Sequence, residues 1–116
     1  MLASDIDAKS VEIARENAAL NGVSSYVSVL HAEGFANARI AASAPFDFVF
    51  ANILAGPLVE FAPVMAAHVA PGGRVMLAGL MASQEHLIEE AYRAAGFKRL
   101  NRLDHDTWPV LLYVRL

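Results

Sequence analysis

Carboxylates, an imidazole and a carboxamide stand at the points where the predicted strands of this sequence end. The residues at these points are Asp5, Asp7, His31, Glu33, Asn52 and Gly79. In open α/β sheets, ligands bind beyond the carboxyl ends of the strands, near the point where the strand order reverses. These residues are therefore the first candidates for a binding site.

Asp5 is the candidate for holding a sugar. A carboxylate that ends the second strand of such a fold can accept hydrogen bonds from two ribose hydroxyls. Asp7 is better explained as the N-cap of the helix that follows it. Position alone leaves a second interpretation equally open, namely that both acids are simply caps and loop residues.

Asn52 is the candidate for contacting a reacting group. Its carboxamide offers donors and an acceptor without ionising, so it could orient an amine or a cofactor carboxylate. The alternative is a turn-forming asparagine whose side chain is satisfied by the backbone. The apolar character of residues 51–57 favours a binding role, because a solvated turn is rarely so hydrophobic.

The remaining polar residues predict no catalytic group and no metal site. His31 and Glu33 could reach the base of a nucleoside, although a partly exposed loop pair is the favoured interpretation. The other histidines lie on separate elements without ligand spacing, and they are His68, His86 and His105. No Ser-His-Asp arrangement and no pair of carboxylates identifies a catalytic residue. Trp108 is expected to pack in the core.

The elements that must position these residues alternate between strands and helices. Strands are predicted at the start of the chain and over residues 26–30, 46–51, 74–78, 97–103 and 110–116. Helices are predicted from Ala8 to the Asn-Gly stop at 21–22, from Ser83, which is expected to be the N-cap, to Gly96, and from about Pro63 after a short turn begun by Pro57.

This order predicts a Rossmann-like α/β fold, a doubly wound and mostly parallel sheet with an antiparallel C-terminal hairpin. Residues 46–51 are almost wholly apolar, which predicts a strand buried on both faces. In such a fold a glycine-rich loop stands about 20 residues before the acidic strand end. We expect that loop and the first strand to be missing, so that residues 1–116 form one partial domain.

Composition excludes several classes of protein. Hydrophobic residues make up 56% of the chain and charged residues 18%, which is typical of a globular domain. The net charge of −3 disfavours direct nucleic-acid binding, and the cations between residues 93 and 102 are interpreted as a solvated helix end and strand edge. No membrane span and no basic leader is apparent. The absence of cysteine agrees with a reducing compartment, so a cytoplasmic location is expected.

Several segments closely resemble the ribosomal protein lysine methyltransferase family of the PrmA type. The resemblance covers essentially the whole chain, and the Asn-Ile-Leu-Ala-Gly-Pro-Leu segment at 52–58 is fairly specific. The acidic strand end and the Pro-Gly-Gly turn are shared by many class I methyltransferases. The segments that carry the resemblance are 4–7, 15–23, 46–49, 51–58, 71–74, 94–97 and the late Trp108.

The resemblance implies a fold that binds S-adenosylmethionine and transfers its methyl group to amino groups of a ribosomal protein. It implies that Asp5 holds the ribose of the cofactor and that Asn52 lies beside the reacting end. Such a transfer chiefly requires a well-positioned neutral amine, so no strong general base is needed. The glycine-rich unit and the separate recognition domain of the family have no counterpart here, and we expect the isolated chain to be inactive.

Two other classes of function remain as hypotheses. A non-catalytic, methyltransferase-like interaction module could self-associate, because a missing central strand leaves sheet edges exposed and such edges recruit other strands. A nicotinamide-dependent oxidoreductase on the same architecture is the weaker hypothesis. It depends even more on the missing glycine-rich loop, and no Tyr/Lys or His/Asp pair stands out.

Overall fold

The computed structural model describes residues 1–116, which fall into two compact units, Met1–Ser43 and Ala44–Leu116. Strands and helices alternate along most of the chain. The strands are β1 Leu2–Asp5, β2 Ser28–His31, β3 Phe46–Asn52, β4 Val69–Ala78, β5 Phe97–Leu103 and β6 Val110–Arg115. The α-helices are α1 Ala8–Leu20, α2 Ala38–Ser43, α3 Ala55–His68 and α4 Glu85–Ala94.

The first unit contains a parallel pair of strands, β1 and β2, joined by α1. Asp5 lies beside His31 in the register, so the two strands end at the same level. Val11 and Ala18 of α1 are buried, two helical turns apart on one side of the helix. Gly22 follows α1 at φ +68°, in the left-handed region, and the helix stop predicted from the Asn-Gly pair is confirmed.

The second unit contains a four-stranded sheet in the order β3-β4-β6-β5. β3 and β4 are parallel, whereas β6 is antiparallel to both β4 and β5. Only a short connection joins β5 and β6, which is too short for a crossover and therefore produces a hairpin. The predicted α/β fold with parallel strands and an antiparallel C-terminal hairpin is confirmed.

One face of this sheet forms the core of the second unit. Val75 and Leu77 of β4 lie beside Tyr113 and Leu111 of β6, and all four side chains are fully buried. The ring of Tyr92 from α4 packs on Tyr113, with 5.5 Å between the ring centroids. Because side chains alternate along a strand, every second side chain of β4 and β6 lies on this buried face. The burial of these apolar side chains supplies most of the stabilisation of the second unit.

The prediction that β3 is buried on both faces is wrong. Phe48 and Phe50 are 51% and 58% exposed. β3 is an edge strand of its sheet, and these two residues alternate onto the face opposite the one occupied by Val75 and Leu77. An apolar sequence therefore indicated the strand correctly but not what covers it.

The prediction that the main helix begins near Pro63 is also wrong. α3 is continuous from Ala55 to His68 and contains Pro63 in its interior. A proline there removes one backbone hydrogen bond. Leu58, Ala62 and Met65 are all buried on the same helix, and their packing holds the helix together across the proline. No helix in the structure combines the length and the apolar character needed to cross a bilayer.

Two further local expectations were wrong. Ser83 does not cap α4, because residues 82–84 form a 3₁₀ turn and Gln84 Oε1 instead accepts a hydrogen bond from Met81 N–H at 2.9 Å. Trp108 is 51% exposed rather than part of the core. Its neighbour Pro109 is fully buried, so the chain entering β6 turns the proline inward and the indole outward.

Candidate functional site

The side chain of Asp5 lies at the exposed carboxyl end of β1. Its Oδ1 accepts a hydrogen bond from the backbone N–H of Asp7 at 2.9 Å, which bends the chain immediately after the strand. Its other oxygen, Oδ2, accepts no hydrogen bond in the structure. Asp5 therefore presents one uncommitted carboxylate oxygen beyond the strand end, where a hydroxyl group could donate to it.

Asp7 serves the following helix, as predicted. Its Oδ2 accepts hydrogen bonds from the hydroxyl of Ser10 at 2.7 Å and from the backbone N–H of Ser10 at 3.2 Å. Its Oδ1 accepts from the N–H of Lys9 at 3.4 Å. The bond from the Ser10 hydroxyl, followed by that from Lys9, lowers the pKa of Asp7. Because both Asp7 oxygens are committed to the helix terminus, Asp5 is the acid left for a ligand.

His31 stabilises the loop between the two acids. Its Nε2 lies 2.7 Å from the carbonyl oxygen of Ile6, and since a carbonyl can only accept, Nε2 carries the proton. The structure thus brings Asp5, Asp7 and His31 together at one strand end. Glu33 does not join them through its side chain and lies in a turn in which its carbonyl accepts from Ala36 N–H.

Asn52 ends β3 and lies beside Ala78 of β4 in the register. Its side chain is exposed and makes no hydrogen bond in the structure. Gly79 follows Ala78 with φ +86°, and a Cβ placed on it would stand 2.9 Å from Asn52 Oδ1 and closer still to the carbonyl of Ile53. Only glycine lets the backbone approach Asn52 this closely. The sequence marked Gly79 as a strand end but did not predict this contact.

The loop after Asn52 is open and apolar. Leu54 is 72% exposed and occupies the N-cap position of α3, which has no side-chain cap. The first backbone N–H groups of α3 therefore lack the side-chain acceptor that usually caps them.

The basic residues near the C-terminus are largely neutralised by carboxylates of α4. Glu85 pairs with Arg99 and Arg102, in each case at 2.9 Å, and Glu89 pairs with Arg93 at 3.5 Å. These partly exposed pairs balance much of the positive charge of this region. No group of three His, Cys, Asp or Glu side chains is placed so that it could hold a metal ion.

Comparison with solved structures places this fold among the methyltransferases. The chain is similar to the ribosomal protein L11 methylase from Lactobacillus delbrueckii subsp. bulgaricus, with a TM-score of 0.89 and 31% identity over 98% of this chain and 57% of that one. It also shares its fold with an RNA methyltransferase from Salinibacter ruber solved in complex with S-adenosyl-L-homocysteine, with a TM-score of 0.73 and 17% identity over 98% of this chain and 65% of that one.

Sequence comparison narrows this class to one family. The sequence model of "Ribosomal protein L11 methyltransferase (PrmA)" matches residues 1–115, and the chain belongs to that family. A curated relative, the ribosomal protein L11 methyltransferase of Bradyrhizobium diazoefficiens, is 49% identical over 112 residues, which cover 97% of this chain. The match covers only 38% of that relative, so this chain corresponds to less than half of its length.

Proposed function

We propose that this chain provides part of the cofactor site of an S-adenosylmethionine-dependent methyltransferase that modifies amino groups of a ribosomal protein. The single observation that best supports this proposal is the uncommitted carboxylate oxygen Oδ2 of Asp5 at the end of β1, within a chain that belongs to the L11 methyltransferase family. We also propose that residues 1–116 are one part of the methyltransferase domain and act in the cytoplasm, where ribosomal proteins are made.

Asp5 would hold the ribose of the cofactor. Its free Oδ2 can accept from one hydroxyl, and Oδ1 has a second lone pair besides the one used by Asp7 N–H. Hydrogen bonds to an ionised acceptor are stronger than neutral ones, which suits a group that must fix a flexible ligand. The bond from His31 to the Ile6 carbonyl would keep the loop in place while the ligand binds.

Asn52 would orient the reacting amine. S-adenosylmethionine supplies a methyl group bonded to a positively charged sulfur. The carboxamide oxygen of Asn52 can accept an N–H of the incoming amine, and glycine at position 79 leaves this oxygen the space that a Cβ would take. Holding the neutral amine in line with the bond that breaks is the main requirement of such a displacement, so positioning rather than proton removal is the task of this residue.

By itself, the chain is proposed to lack activity. The backbone N–H groups of a glycine-rich loop normally hold the polar end of the cofactor, and no two of the seven glycines are spaced as Gly-x-Gly. We therefore expect calorimetric titration of the chain with S-adenosylmethionine to show no micromolar binding. Micromolar binding would contradict this part of the proposal.

The activity itself is tested by joining residues 1–116 to the part of the Bradyrhizobium diazoefficiens relative that lies outside the match. The joined protein should transfer labelled methyl groups from S-adenosylmethionine to ribosomal protein L11. Asp5→Asn should raise the KM for the cofactor by about tenfold, because a hydrogen bond to an ionised acceptor is weakened.

The matched control for that experiment is Asp47→Asn, which removes the same charge from an exposed residue on β3. It should leave the KM for S-adenosylmethionine unchanged. A folded joined protein without methyl transfer would disprove the activity. Equal effects of the two substitutions would disprove the role of Asp5.

A second candidate function is self-association through the exposed edge of the four-stranded sheet. It is favoured by the position of β3 at the sheet edge and by the exposure of Phe48 and Phe50. Sedimentation at several protein concentrations tests it. Self-association that weakens in Phe50→Ser supports this candidate, whereas a monomer at every concentration contradicts it.

A further inference from the structure

A concave pocket of about 330 Å³ lies in the first unit, away from the strand end that carries Asp5. α1 contributes Arg15 to its lining and α2 contributes Arg39, while Ser24 and Ser28 add hydroxyl groups. None of the residues that line the pocket is acidic. Two arginines and two serines thus line one pocket that has no acidic residue in its lining.

Both arginines are held by neutral acceptors. Arg15 donates from Nε and Nη2 to the carbonyl oxygen of Val29, at 3.3 and 2.9 Å. Arg39 donates from Nη2 to the hydroxyl of Ser28 at 2.9 Å. Ser28 and Val29 are neighbours in β2, so both arginines are anchored on the same strand segment, and both line the same pocket.

These contacts leave most of the hydrogen-bonding capacity of the two cations unused. A guanidinium has five N–H donors, and neither Arg15 nor Arg39 forms an ion pair in the structure. Two like charges in one pocket repel each other, and a bound anion would offset that repulsion by attracting both of them. The planar, forked geometry of arginine matches phosphate oxygens better than it matches any neutral ligand.

We propose that this pocket binds a phosphate group, with Arg15 and Arg39 on its oxygens and the Ser24 hydroxyl as a further donor. The phosphate is either free phosphate or a phosphodiester of an RNA strand, since both present the same oxygens to arginine. A single phosphate site is compatible with a net charge of −3, because it requires two local cations rather than a basic face. The site does not depend on the proposed methyl transfer.

Titration of the full chain with inorganic phosphate, followed by NMR at the amides of Ser24, Ser28 and Arg39, tests the site. We expect saturable shifts confined to this region. Arg39→Gln should weaken the affinity by about tenfold, because one charge-assisted pair of hydrogen bonds is lost. This residue is chosen because the only hydrogen bond of its side chain is to the Ser28 hydroxyl, so its replacement does not threaten the fold.

Arg93→Gln is the matched control, since Arg93 is an exposed arginine of α4 that pairs with Glu89 outside the pocket. The affinity of the Arg93→Gln variant for phosphate should equal that of the unchanged chain. The proposal is overturned if no saturable shift occurs at these amides. It is also overturned if Arg39→Gln and Arg93→Gln reduce the affinity equally, because binding would then reflect overall charge.

A short single-stranded RNA distinguishes the two sources of phosphate. Tighter binding than inorganic phosphate, lost in Arg39→Gln and weakened by added salt, identifies a phosphodiester as the ligand. Binding of inorganic phosphate at the pocket without any gain from RNA identifies free phosphate. RNA binding that Arg39→Gln leaves unchanged, together with no phosphate shift, contradicts the site.

Discussion

Asp5 and Asn52 both stand at the end of a strand, yet the chain fixes their surroundings by different means. Around Asp5, hydrogen bonds define the geometry, from Asp7 N–H to its carboxylate and from His31 to the Ile6 carbonyl. Around Asn52, the side chain makes no hydrogen bond, and its environment is set by the close approach of the Gly79 backbone.

Because of this difference, we expect the two strand ends to tolerate amino-acid substitutions to different degrees. An exposed hydrogen bond contributes about 1 kcal/mol or less, because water replaces the lost partner. A backbone contact has no such substitute, since a larger residue must displace neighbouring atoms. The Asn52 end should therefore be the more sensitive of the two, and three sets of substitutions test this comparison.

The largest effect is expected for Gly79→Ala. The positive φ already disfavours any residue with a Cβ, and here the Cβ also collides with the Ile53 carbonyl and Asn52 Oδ1. We expect a loss of about 2–4 kcal/mol in the free energy of unfolding, measured by urea denaturation.

Two other glycines separate the causes of that loss. Gly72 has φ +80° but open space around its Cβ position, so Gly72→Ala should cost about 1 kcal/mol. Gly56 lies in α3 with open space and an ordinary φ, so Gly56→Ala should be stabilising by about 0.5 kcal/mol. If Gly79→Ala lowers the free energy of unfolding no more than Gly72→Ala does, steric contact at Gly79 does not determine the structure around Asn52.

A smaller effect is expected for Asp7→Ala, which removes the cap of α1. The midpoint of thermal unfolding should fall by a few degrees at neutral pH. The pKa of Asp7 is lowered in the folded chain from its ordinary value of 3.8. The stabilisation by the charged form is therefore complete above pH 3.8 and is lost as the pH falls through the folded pKa.

Asp7→Ser separates the cap from the charge, because serine also caps helices but does not ionise in this range. Its stability at neutral pH should approach that of the unchanged chain. The difference in stability between Asp7→Ser and Asp7→Ala should persist in acid. The difference in stability between the unchanged chain and Asp7→Ala should become smaller in acid. An Asp7→Ala chain as stable as the original at neutral pH would show that the cap contributes nothing.

The smallest effect is expected for His31→Ala. Loss of the bond to the Ile6 carbonyl should cost about 0.5–1 kcal/mol and loosen the loop that carries Asp5. Faster hydrogen exchange at the Asp7 amide would report this loosening. His86→Ala, at an exposed histidine of α4, is the control and should leave that exchange unchanged. Identical exchange in both variants would mean that His31 does not hold the loop.

Local structural features were predicted well from the sequence where neighbouring residues alone determine them. The Asp7 cap and the stop at Gly22 depend on hydrogen bonds and backbone angles within a few residues, and both are present in the structure. The same local reasoning failed at Pro63, because buried neighbours on α3 outweigh the bond that a proline removes. It failed at Trp108 because the orientation of the chain as it enters the sheet decides which of Trp108 and Pro109 is buried.

The sequence by itself determined the order of strands and helices, the strand ends at Asp5, His31 and Asn52, and the family to which the chain belongs. Only the tertiary structure decided which neighbours those residues meet. The bond from His31 to Ile6 joins residues 25 positions apart, and the contact between Gly79 and Asn52 requires the register of two parallel strands. Such contacts depend on how distant segments pack, and no local pattern of residue types encodes that packing.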